Sequence, residues 1–117
     1  MAAAKKAVSS AVVSLEQIRA ADDTHAAEGV LVEVPEWGGS VRVRGLTRGE
    51  ARSLGEGTTP ADAEVFTLQH GLVDPKVTAE EATALLDEKG FAATERVLVA
   101  ILDLSGLTPG FREGKAD

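Results

Sequence analysis

The sequence predicts an α+β domain: an N-terminal β-hairpin packed against three to four short helices, with a mainly helical C-terminal half. Two adjacent segments alternate in the manner of strands, Val30–Val34 with valines at every second position and Val41–Arg44 with valine and arginine in strict turn. Three Ser/Thr-x-x-Gln/Glu spacings, at Ser14–Gln17, Thr47–Glu50 and Thr78–Glu81, have the form of helix-opening capping boxes. Near the C-terminus, Val97–Leu102 is apolar on nearly every helical face, as suits a helix in the middle of a core or against a partner.

In chain order, residues 1–13 read as a flexible leader of small residues, 14–107 as a single domain and 108–117 as a flexible tail. Ser14 opens a short helix with Leu15, Ile18 and Ala21 on its apolar side. The strands are joined through Pro35–Ser40, a turn-rich stretch containing Trp37 and two glycines. Their shared apolar face carries Val30, Val32, Val41 and Val43, with Arg42 and Arg44 opposite. Two strands alone are marginal, so the helices must cover that face.

From Thr47 a helix should carry Ala51 and Leu54 inward and stop at Gly55–Glu56–Gly57. Thr59 caps a longer helix with Pro60 at its first position; Ala61, Val65, Leu68 and Leu72 form its apolar face, and Gly71 fits a left-handed stop. Val73–Asp74–Pro75 then breaks the chain. Thr78 starts a helix burying Ala82, Leu85 and Leu86, with Gly90 as terminator. The last helix runs from about Ala92 to Leu104 and stops at Gly106.

Composition narrows the function. The chain has 117 residues with 19 acids against 12 Lys and Arg, a net charge of −7, which argues against a phosphate-binding surface. Without cysteine there are no disulfides, thiolate metal sites or cysteine nucleophiles. No apolar run approaches the roughly 18 residues a membrane span needs. Lys5 and Lys6 before Ala7–Val13 imitate a stunted secretory signal, but Ser9 and Ser10 interrupt it and Glu16 ends it.

Catalytic patterns are weak. His70 sits near a helix end without a motif partner, which suits a terminal histidine better than a general base. His25 with Asp22, Asp23 and Glu28 lacks the spacing of a metal motif and reads as a solvated linker. Glu80–Glu81 and Asp87–Glu88 suit a helix's first turn and its solvent face. Arg42, Arg44, Arg48 and Arg52 form the one basic concentration, with Glu33, Glu36 and Glu50 near enough in sequence to balance it. No enzyme activity, cofactor, metal or nucleic-acid partner is expected. Trp37 has two readings, an anchor for a partner or a cover for the hairpin's apolar face.

The order of landmarks resembles a known family. Val32-Glu33-Val34-Pro35-Glu36-Trp37-Gly38-Gly39-Ser40-Val41-Arg42-Val43-Arg44-Gly45-Leu46-Thr47-Arg48-Gly49-Glu50 is similar to the opening of the tail assembly chaperones of tailed phages. His70-Gly71-Leu72-Val73-Asp74-Pro75 resembles their mid-chain segment, and Thr78–Leu86 with Val97–Leu107 resembles their two closing helices. The resemblance implies a non-enzymatic protein of the siphophage type, in its short form. Such a protein binds and solubilises the tape measure protein in the host cytoplasm, helps to recruit tail tube subunits, and is absent from the mature virion. It implies no catalytic or cofactor residues.

A small acidic chaperone would mask apolar client helices in a groove. The partner-binding candidates are Trp37, Val97, Leu98, Ile101 and Leu102, joined by Leu85 and Leu86; the plainer account makes the helical residues core. Self-association through the same helix is a further reading. So are two other roles: a permanent tail or connector component joined by strand addition, and a small acidic regulatory module.

Overall fold

α5, the longest helix, spans Phe91–Leu104, and the rest of the fold is arranged around it. In this computed structural model, which describes residues 11–55 and 57–107, α5 touches both strands of the hairpin and two other helices. The chain order is α1 (Leu15–Ala20), β1 (Val30–Val34), a 3-10 turn (Pro35–Trp37), β2 (Gly39–Val43), α2 (Arg48–Arg52), α3 (Pro60–Gly71), β3 (Leu72–Asp74), α4 (Ala79–Glu88) and α5. The fold is α+β, with the hairpin at the N-terminal side and helices dominating the rest. The leader through Ser10 and the segment 108–117, with Phe111, lie outside the described residues.

The expected hairpin forms, and its register sets Val30 opposite Val43, Val32 opposite Val41 and Val34 opposite Gly39. Alternation then puts Val34, Val41 and Val43 into the core, with Val32 packed against it. The loop closes through the 3-10 turn and Gly38, whose φ of 83° lies in the left-handed region. Trp37 is half-buried against the core, the covering arrangement of its two readings.

All three capping boxes are present: Ser14, Thr47 and Thr78 each accept from the third helical N–H, while Gln17, Glu50 and Glu81 reach back to the cap N–H. Thr59 caps α3 with Pro60 behind it, as expected. The core itself is built from Val34, Val43, Leu68, Ala82, Val97 and Ile101, all at 0% exposure.

Five expectations are corrected. The stretch expected only to break the chain, Val73–Asp74–Pro75, instead contributes Val73 and Asp74 to a third strand, β3, antiparallel to β2, which places β2 centrally in the order β1-β2-β3. Val43 faces Leu72 and Arg42 faces Asp74, so the register shifts by one residue at Val73. Leu72 therefore leaves the helical face assigned to it, and Ala61 on that face is exposed. Gly71 is the last helical residue of α3 rather than a left-handed stop. Any Cβ there would lie 2.6 Å from Ile101 Cγ1 and Cγ2, so the glycine lets α3 approach α5. Gly90 does not terminate α4; Lys89 does so in extended conformation, and Gly90 is the N-cap of α5. Finally, α1 buries nothing: Leu15 and Ile18 remain 68% and 58% exposed.

A second close approach joins the hairpin to the end of α5. A Cβ on Gly45 would meet the Leu104 carbonyl oxygen at 2.8 Å. The next residue, Leu46, donates its N–H to Ser105 Oγ at 2.8 Å, and that hydroxyl donates to the Ile101 carbonyl at 2.6 Å. The chain leaving β2 is thereby fixed against the C-terminal turn of α5.

Candidate functional site

Two helical stripes of identical spacing form an open groove. On α3 the stripe is Pro60, Ala63, Glu64 and Thr67; on α5 it is Glu95, Leu98, Val99 and Leu102. Each follows i, i+3, i+4, i+7, the spacing of one helix face. Leu54 and Thr58 contribute to the lining from the α2–α3 connection, and the space enclosed is about 300 Å³. The α3 wall carries the small side chains of Ala63 and Thr67, and the α5 wall the longer ones of Leu98 and Leu102.

The groove is apolar apart from two threonines and two carboxylates. Thr67 is buried at 4% exposure, while Glu64 is exposed and Glu95 half-exposed. Of the partner-binding candidates, Leu98 and Leu102 line this groove, each 7% exposed. Val97 and Ile101 are at 0% exposure and face the core. Leu85, Leu86 and Trp37 pack against the core and do not line the groove. The groove-lining residues absent from the sequence reading, chiefly Ala63, Glu64, Glu95 and Val99, carry a sequence signal only as paired stripes.

A second space of about 300 Å³ lies where the Asp23–Thr24 linker, the Leu46–Arg48 segment and the Leu104–Ser105 end of α5 meet. Its walls are mostly polar, and Ser105 there is already committed to holding Leu46.

The candidate catalytic groups are tied into local structure. His70 stacks on Phe66 with ring centroids 4.1 Å apart, and its Nδ1 donates to the Phe66 carbonyl at 3.0 Å. Asp22 accepts from the Ala26 and Ala27 N–H groups at 2.8 and 3.1 Å, ordering the linker that contains His25. Among the described residues, no group of three or more His, Asp or Glu side chains is arranged to hold a metal ion. No helix there is long and apolar enough to cross a membrane.

The arginines divide. Arg44 grips Glu50 with both guanidinium nitrogens at 2.9 and 2.7 Å, and Glu50 also accepts the Thr47 N–H. Those hydrogen bonds, Arg44's foremost, lower the Glu50 pKa to about 2. Glu36, expected to balance the strand arginines, instead receives both nitrogens of Arg96 on α5 at 2.7 and 3.0 Å. The Arg96 hydrogen bonds likewise lower the Glu36 pKa to about 2. Arg42 lies opposite Leu31 on one side and Asp74 on the other, and Arg48 and Arg52 are exposed. Compared with protein-family models, curated proteins and solved structures, the chain matches none.

Proposed function

We propose that this protein is a tail assembly chaperone of a tailed phage or prophage, which keeps a tape measure protein soluble in the host cytoplasm and helps to recruit tail tube subunits. The observation that carries this reading is the open apolar groove between α3 and α5 on a strongly acidic domain. A groove of that kind accepts side chains from an amphipathic client helix, and the surrounding negative charge keeps the complex dispersed. The order of landmarks supports it too. The segments similar to the family fall on β1 through the start of α2, on the end of α3 with β3, and on α4 and α5.

The test is co-expression with the long, helix-rich protein encoded downstream of this gene. A soluble complex, with the client insoluble when expressed alone, is the expected outcome. Equal insolubility with and without this protein would remove the reading.

One observation favours a second role. β1 is an edge strand, and Leu31 on it is 57% exposed, so a neighbour's strand has somewhere to add. That suits a permanent component of the tail or connector. Mass spectrometry of purified particles separates the two, because a chaperone departs before the virion is complete.

A further inference from the structure

Glu64 and Glu95 line the α3–α5 groove, and among the described residues neither carboxylate is in an ion pair or a side-chain hydrogen bond. Arg96, next in sequence to Glu95, is held by both of its terminal nitrogens on Glu36. The groove therefore presents an apolar floor and uncompensated negative charge together. We propose that it docks an amphipathic helix of another protein through apolar side chains from two successive turns, with Lys or Arg on that helix facing Glu64 and Glu95. For the existence of a helical client the proposal rests on the chaperone reading; for the chemistry of the docked segment it rests on the groove alone.

Size and charge select this occupant. Each wall runs from i to i+7, about 10 Å along its helix, which matches two turns of a partner. The space of about 300 Å³ holds side chains but not a helix backbone, so the partner lies across the opening and inserts its apolar residues. A second copy of this chain would bring acid against acid, given a net charge of −7. The apolar floor is what a purely electrostatic contact would not need.

The test uses two labelled amphipathic peptides of about 16 residues with the same leucine face, one flanked by lysines and the other by glutamates. Fluorescence anisotropy with the full chain should show the lysine peptide binding at least about tenfold more tightly. Glu64→Lys with Glu95→Lys should abolish or reverse that preference. Glu33→Lys with Glu88→Lys, an equal charge change outside the groove, should leave most of it. Ala63→Phe, which fills the floor, should weaken both peptides. Melting curves confirm that each variant folds.

Equal binding of the two peptides overturns the proposal, and so does an equal effect of the two charge reversals. If a chain ending at Leu107 binds the lysine peptide more than about tenfold more tightly than the full chain, residues 108–117, which include Phe111 and Arg112, are the native occupant and the proposal fails. A dimer dissolved by the groove reversal likewise overturns it in favour of a second copy. Co-expression separates the two readings. If the wild type and the groove variant solubilise the downstream client equally, the groove assignment fails and the chaperone reading stands. If neither does, while peptide selectivity holds, the chaperone reading fails and the groove stands.

Discussion

Gly71 has a backbone outside the left-handed region, so its side-chain absence, not its conformational freedom, is what the position requires. Ile101 occupies the space where a Cβ would sit, and Ile101 is itself fully buried. Gly71→Ala should therefore destabilise the domain by about 1–3 kcal/mol, despite alanine's better helix propensity. The check is urea unfolding in a double-mutant cycle with Ile101→Ala. That truncation alone should cost about 2–5 kcal/mol, and in its background Gly71→Ala should cost little or nothing. Additive losses would mean that the two residues do not meet. Trp37 poses the opposite case, a large side chain only half enclosed against the core. Trp37→Ala should lower stability by about 1–3 kcal/mol, below the range for a fully buried aromatic, and a variant as stable as wild type would return Trp37 to the role of a surface anchor.

The same packing logic, taken over whole elements, separates what the sequence reveals from what it hides. Helix starts were legible because a capping box is contained in four residues and its hydrogen bonds need no other part of the chain. The hairpin was legible for a similar reason, since two runs of alternating valines joined by a short connection pair locally. β3 was not, because Leu72–Asp74 is a strand only by pairing with β2, some thirty residues earlier in the sequence. The groove was half legible. Leu98 and Leu102 stood out as apolar, but the groove is lined jointly by α3, α5 and the α2–α3 connection and so depends on a tertiary contact. The apolar run Val97–Leu102 likewise gave no means of dividing core from groove until α3 was in place. These relations make contrasting predictions. Val43→Asp puts an unpaired charge at a site with 0% exposure and should abolish the cooperative thermal transition. Leu15→Asp with Ile18→Asp, on a helix that buries nothing, should change stability by no more than about 0.5 kcal/mol.

At the scale of the molecule, two ion pairs tie the β-hairpin to helices that follow it in the sequence, one near and one distant. Arg44–Glu50 links the end of β2 to α2, and Arg96–Glu36 links the hairpin turn to α5, 60 residues away. In each, hydrogen bonds from the arginine lower the glutamate pKa from the ordinary 4.5 to about 2. Between those values the unfolded chain binds protons that the folded chain does not, so the stabilisation is fully present above about pH 4.5 and is lost as pH falls toward 2. The two pairs should not contribute equally. Arg44 and Glu50 have side chains 18% and 23% exposed, whereas Arg96 and Glu36 are 41% and 47% exposed and more open to screening by water and salt. Glu50→Gln should cost about 1–2 kcal/mol at pH 7 and flatten the acid limb of the melting-temperature profile. Glu36→Gln should have the smaller effect, and moderate salt should erase most of the difference between that variant and wild type. Melting curves of the wild type and both variants from pH 7 to pH 2 check this, with convergence expected at the acid end. Glu50→Gln running parallel to wild type over the whole range would mean that the Arg44–Glu50 pair does not couple folding to pH, leaving the acid dependence to the remaining carboxylates.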